Sequence, residues 1–270
     1  YQIGGNNNTW IRDLNEKKWK PLETMTATLN RGDFWLIASE GAQSDLGGGL
    51  VSANKPISVL SGTHCAYVPT GNSACDFIIE TETPMIAWGT KYHVTNIVDR
   101  KFSSYVRYFA KEPNTNFYRD GVLFWTAYSS WGLEGDGWLE KRVNPDTNLP
   151  ACITGDKPIN VVQYNTGMTE DGVSSDPFQM TLTPLEQYQN DIIFNTPGIR
   201  GGYGFRRNFI NIVYKSDSSG QIPDDLMFGE VDATHQTVWT RLKDKSSAPG
   251  QMFKDPDQFG QKEQYFNKIV

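Results

Sequence analysis

Apolar residues along this chain rarely recur at helical spacing. No window keeps a 3.6-residue apolar period for more than two turns. Short runs of β-branched and aromatic residues stand instead between clusters of turn formers. "KPISVLSG" (55–62) and "KPINVVQY" (157–164) each open with proline, which suits a strand's first residue, and continue in β-branched residues. "NFINIVYKS" (208–216) sets Phe209, Ile210, Ile212 and Tyr214 among Asn211 and Lys215 at strand length. "DLGGGL", "RDG", "EGDG", "TGDKP" and "PGIRGGYG" punctuate the interval at turn spacing. The best helical candidate, "DPDQFGQKEQYFNKI" (255–269), is broken by Gly260 and reads as a docking tail. The pattern predicts an all-β chain.

The strand phrases come twice. Lys55-Pro56-Ile57 returns as Lys157-Pro158-Ile159 about a hundred residues later, within "VSANKPISVL" (51–60) and "ITGDKPINVV" (153–162). Upstream, "RGDFWLI" (31–37) lines up with "EGDGWLE" (134–140). Downstream, "CDFIIETETPMIAW" (75–88) lines up with "SDPFQMTLTPLEQY" (175–188), matching Asp76 with Asp176, Thr81 with Thr181 and Pro84 with Pro184. "YVRYFAKEPN" (105–114) parallels "NFINIVYKSD" (208–217) more weakly. Blocks kept in order with a slightly drifting offset are what duplication with variable loops leaves behind. The expected architecture is therefore two tandem antiparallel β-sandwich units, 1–110 and 111–215. Residues 216–270 follow as a strand-rich extension or a partial third unit, carrying "DLMFGEV" and "QTVWTRL".

Composition narrows the function classes. With 38% hydrophobic and 13% aromatic residues over 270 positions, the chain holds enough apolar material for a large core. A net charge of −6 argues against a nucleic-acid partner, which calls for a basic face. No run of about 18 apolar residues is present, so no membrane-inserting helix is expected. The opening "YQIGGNNNTW" lacks the charged and apolar regions of a signal peptide and reads as an internal cut or a mature terminus.

Two of the 3 cysteines flank one loop. Cys65 and Cys75 bracket "AYVPTGNSA", where Pro69, Gly71 and Asn72 make a reversal able to bring them into disulfide range. A bond there would add on the order of 2–3 kcal/mol and imply an oxidising compartment. The spacing leaves open the alternative of two buried thiols. Cys152 is left over and reads as a small buried hydrophobe.

Catalytic chemistry is not legible. His64, His93 and His235 lack metal-ligand spacing, and no nucleophile elbow or phosphate loop is present, so no catalytic or metal-binding residue is nominated. "DGVSSD" (171–176) and "EGDGWLE" gather oxygen ligands but fall short of the twelve-residue calcium pattern, and calcium stays the one cofactor left open. Asn7 in "NNT" is a glycosylation acceptor in a secretory-pathway eukaryote. Aromatics are the stronger signal. Trp35 with Trp138, and Trp88 with Tyr188, are repeat partners and expected in the core. Trp125, Tyr128 and Trp131, in "FWTAYSSWGLEGDGW" (124–138), have no counterpart in the other copy, and neither does the cysteine loop with Tyr67 and Asn72. Features found in one copy alone are free to specialise, so these five residues are the candidate binding residues.

The phrases together resemble a known family. The run 51–94, with its Lys-Pro-Ile strand, its Cys65–Val68-Pro69–Cys75-Asp76 loop and its Pro84 followed by Trp88-Gly89, resembles the N-terminal domain family of IgG Fc-binding protein. "GDKPINVVQY", "SDPFQMTLTPLEQYQNDIIFNTP" and "NFINIVYK" are similar to the second half of that domain. The resemblance implies an extracellular or cell-surface, non-enzymatic β-rich module used in adhesion or matrix assembly, with a protein or glycan ligand. A structural subunit that binds copies of itself is the alternative, and a carbohydrate-active enzyme on a β-sandwich the residual one.

Overall fold

The computed structural model describes residues 1–41, 43–98, 100, 104–144, 149–170, 172–173, 175–194, 209–215, 222–231, 234–244, 248–252 and 265–269. The chain is all-β and antiparallel, as the patterning predicts, with three single-turn 3-10 helices among the described residues. Strands β1 (Trp10–Arg12), β2 (Lys18–Trp19) and β3 (Ser39–Glu40) form a small sheet in the order β2-β1-β3. Its core is Ile3, Ile11 and Met25, with Trp19, Trp35 and Ile37 packed against them. β4 (Leu60–Ala66) and β5 (Asp76–Thr81) pair as a two-stranded sheet, followed by the 3-10 turn Met85–Ala87.

The main sheet is built from β6 (Gly89–Val94), β7 (Ser104–Ala110), β8 (Thr115–Arg119), β9 (Val122–Ala127), β10 (Trp138–Val143), β11 (Ala151–Asn165) and β12 (Phe178–Thr181). β7 alternates buried Ser104, Val106, Tyr108 and Ala110 with half-buried Tyr105, Arg107 and Phe109, the period of a strand with one face on a core. Asp120 and Gly121, at φ 50° and 81°, supply the two left-handed residues of a tight hairpin between β8 and β9. β11 is the spine. Ile153 pairs with both Tyr92 of β6 and Arg119 of β8, and Ile159 with both Gly89 of β6 and Ala110 of β7. A residue has two edges, so β7 and β8 run in line along one edge of β11, while β6 lies on the other. Strands from either side of residue 110 thus share one sheet. Val106, Tyr108, Phe117, Ile153, Ile159 and Val161 meet in its core, each fully buried large side chain contributing about 1.5–3 kcal/mol.

After the 3-10 turn Leu185–Gln187, β13 (Asn211–Lys215) pairs with β17 (Tyr265–Ile269), which also pairs with β16 (Ala248–Met252). β14 (Met227–Val231) and β15 (Thr237–Arg241) make a hairpin continued by the 3-10 turn Leu242–Asp244. The broken helical candidate 255–269 is a strand, β17, over 265–269; the remainder of it lies outside the described residues. Pairing along β13 gives this segment a backbone ladder that an isolated helix interrupted by Gly260 does not have. The two Lys-Pro phrases also differ. The second lies inside the 15-residue β11, whereas in the first the strand begins only at Leu60.

Candidate functional site

The aromatic run divides between core and surface. Phe124 meets Tyr108 edge-on at 5.2 Å, and Trp125 lies over Phe117 with ring centroids 4.7 Å apart, both partly buried against the main core. The Trp125 indole N–H donates to the Gly135 carbonyl at 3.3 Å. Trp131 is half-buried in a turn that docks on the N-terminal segment: Gly132 N–H donates to Gly48 O at 2.9 Å and Gly5 N–H to Gly132 O at 3.2 Å. Tyr128 projects to solvent, 67% exposed.

Beneath that turn lies a node absent from the sequence reading. Trp138 is fully buried, stacked on Phe109 at 6.1 Å, with the Arg107 guanidinium 4.8 Å from its ring. Arg107 donates to Asp45 Oδ2 at 2.5 Å and to Glu140 Oε2 at 2.7 Å, and sits over the Tyr164 ring. Burial works against its charge, but Asp45, Tyr164 and Glu140 outweigh that and hold its pKa above the ordinary arginine value. The node ties the N-terminal sheet to the main one. Burial of Trp138 agrees with its reading as a core residue, and the charged residue in the middle of "YVRYFA" is the sequence signal for its partner.

The cysteine loop forms the second candidate. Cys65 and Cys75 are disulfide-bonded with Cα atoms 5.0 Å apart, and Cys152 is a buried thiol. Asn72 shapes the loop, donating from its backbone to Pro69 O at 3.2 Å and from Nδ2 to Val68 O at 2.9 Å. Gly167 N–H donates to the same Val68 carbonyl at 2.8 Å, so the loop rests on the turn after β11. Arg100 reinforces that side through Thr166 Oγ1 at 2.6 Å and Gly167 O at 3.1 Å. Tyr67, just after β4, is 48% exposed. Among the described residues, no hydrogen bond or ring contact joins this loop to the aromatic turn, so they are two separate surfaces.

Titratable chemistry is sealed inside. Cys152 faces His93 across β11 and β6, and His93 Nδ1 lies 3.0 Å from the Tyr188 hydroxyl. Burial lowers the His93 pKa to about 3, assisted by Lys91, and burial raises that of Tyr188, with Cys152 and Glu186 adding to it. Among the described residues, no group of three His, Cys, Asp or Glu side chains is placed to hold a metal ion. Asp171 and Ser174 of the calcium candidate lie outside the described residues. No described helix is long and apolar enough to cross a membrane.

A family model described as "IgGFc binding protein" matches residues 7–252. The chain belongs to the IgGFc-binding protein family. A human relative, "IgGFc-binding protein", is 26% identical over 166 residues, which is 61% of this chain and 3% of that protein. No solved structure matches. The IgGFc-binding match contains both candidate surfaces, the Arg107 node and the two Lys-Pro phrases.

Proposed function

We propose that this chain is an extracellular, non-catalytic protein-binding module of an adhesion or matrix protein, with ligand contacts at Tyr67 and Asn72 in the cysteine loop or at Trp125, Tyr128 and Trp131 in the aromatic turn. Membership of the IgGFc-binding family is the observation that carries it. The Cys65–Cys75 bond supports an oxidising compartment. Exposed Tyr67 and Tyr128, each on a loop held by a rigid neighbour, are the kind of aromatic anchor that dominates protein interfaces.

The test uses two probes, the Fc fragment of IgG, named by the human relative, and purified mucin, each titrated against the immobilised chain. Saturable binding weakened about tenfold by Tyr128→Ala or Tyr67→Ala assigns the responsible loop. No binding to either probe overturns the reading.

A further inference from the structure

Two hairpins of this chain carry a Trp-Thr pair on their second strand, and they treat the indole differently. In β9, Trp125 packs on the buried Phe117 opposite it and donates its N–H to Gly135 O. In β15, Trp239 lies opposite Gly229 of β14 and is 62% exposed. Gly229 makes room for the ring: a Cβ there would fall 2.9 Å from Trp239 Cζ3 and 3.1 Å from Cε3. The six-membered ring thus lies across the neighbouring strand, and the rest of the indole is open to solvent. Side chains alternate along a strand, and cross-strand partners share a face. Thr237, Trp239 and Arg241 therefore stand on one face with Met227, Gly229 and Val231, a set without a carboxylate. The other face holds Phe228, which is buried and packs on Phe194 with ring centroids 6.0 Å apart, so the Trp239 face is the outer one. Among the described residues the exposed Arg241 makes no ion pair, and neither the Trp239 indole N–H nor the Thr237 hydroxyl has a hydrogen-bond partner.

We propose that this face binds an acidic sugar, a pyranose carrying a carboxylate or a sulfate ester, with Trp239 as the stacking platform and Arg241 as the partner of the anion. One side of a pyranose is a row of C–H bonds with partial positive charge, which suits the negative π face of an indole. The guanidinium presents parallel N–H donors to a carboxylate, or to the similar oxygens of a sulfate. Arg241 follows Trp239 by two residues, roughly 7 Å along the strand, so a ring over the indole brings its acidic substituent within reach. Thr237 stands at the same spacing on the other side, and its hydroxyl and the indole N–H are there for the ring hydroxyls. The chain carries a net charge of −6, so an anion is held only where a cation stands unpaired, as Arg241 does. Trp and Arg also make protein hot spots, but those lie in packed pockets ringed by residues that exclude water. Here the ring lies on an open hairpin with polar groups beside it, which a hydroxyl-rich ligand uses and a dry interface strands. So open a platform gives a Kd on the order of 1 mM for one sugar, strengthened by avidity where many stand along one chain. The site is separate from the surfaces at Tyr67 and Tyr128 and does not rest on them.

The whole chain is titrated, by saturation-transfer NMR, with sialyllactose, with sulfated galactose and with lactose as the neutral sugar. At least one acidic sugar is expected to bind saturably and about tenfold tighter than lactose, and which one it is tells carboxylate from sulfate. Trp239→Ala should abolish binding of every sugar, whereas Trp239→Tyr keeps an aromatic face and should retain it within about threefold. Arg241→Gln should bring the acidic sugar down to the level of lactose. Tyr67→Ala and Tyr128→Ala should leave all three titrations unchanged, which separates this site from the proposed protein contacts. The proposal is overturned by no saturable binding of either acidic sugar, by lactose binding equally well, or by sugar binding that survives Trp239→Ala. A Trp239→Ala chain that loses the Fc probe, with no sugar bound by the wild type, would make the face a protein contact and overturn it as well.

Discussion

Gln187 donates its side-chain amide to the carbonyl of Ala87, the residue one hundred positions earlier that holds the same place in the first copy of the repeat. Each sits in a one-turn 3-10 helix behind a proline, closed by Ala87 N–H to Pro84 O at 2.8 Å and Gln187 N–H to Pro184 O at 2.9 Å. The two 3-10 turns thus lie against each other. Next to them Glu186 Oε1 accepts from the Thr90 N–H at 2.6 Å.

Removing these bridges should loosen the contact between the two turns. Gln187→Ala and Glu186→Ala are each expected to cost about 1 kcal/mol in urea unfolding, the net worth of a hydrogen bond. Because the two residues share one contact, the double variant should depart from additivity.

Gly48 is expected to tolerate no side chain. Its φ is +71°, and a Cβ there would fall 2.2 Å from Trp138 Cδ1 and 2.8 Å from Gly132 O. Gly48→Ala should therefore cost about 3 kcal/mol or more, from left-handed strain plus overpacking. Gly71→Ala is the control, since φ is +99° there and nothing lies within 4 Å. It should lose only about 1 kcal/mol. Melting temperatures of the two variants check both.

Arg107→Met should destabilise the chain by about 3 kcal/mol or more, because it leaves the Asp45 and Glu140 carboxylates facing each other without their shared cation. Arg107→Lys should recover only part, since an ammonium cannot fork to two carboxylates and stack on Trp138 together. Denaturant midpoints of the three proteins decide this.

These sites show which parts of the fold the amino-acid string carries openly. Turns are local, so the matching blocks around Gly32 and Gly135 form matching turns: Asp33 N–H bonds Asn30 O as Asp136 N–H bonds Leu133 O. Pairing is not local. Nothing in "YVRYFA" says that it lies along β11, or that Arg107 waits for Asp45 sixty-two residues upstream. Tyr67 and Tyr128 are exposed, whereas half-buried Trp125 depends on Phe117, a partner fixed by the β8–β9 register.

The disulfide closes a loop with a sequence separation of 10. Cys65→Ser with Cys75→Ser should cost about 2–3 kcal/mol through the unfolded chain, and would release the loop from Gly167. Alkylation of the denatured, unreduced wild type should label Cys152 and no other position. Three labelled thiols would remove the bond and the argument for an oxidising compartment with it.

His93 should make the fold acid-sensitive in a way that can be isolated. Burial among β6, β11 and Tyr188 holds its pKa at about 3, against 6.5 for an exposed imidazole. Between those values the unfolded chain binds a proton that the folded chain refuses, so stability falls as pH drops through that window. Above about pH 6.5 the imidazole is neutral in both states, and the whole contribution is present. The loss by pH 3 is on the order of 4 kcal/mol. Carboxylates titrate in the same range, so the measurement is a difference: melting temperature against pH for the wild type and for His93→Phe, which cannot take up the proton. The two curves should separate most near neutrality and converge toward pH 3, the variant having the shallower slope. Parallel curves would mean that the His93 ring reaches water and titrates normally in the folded chain.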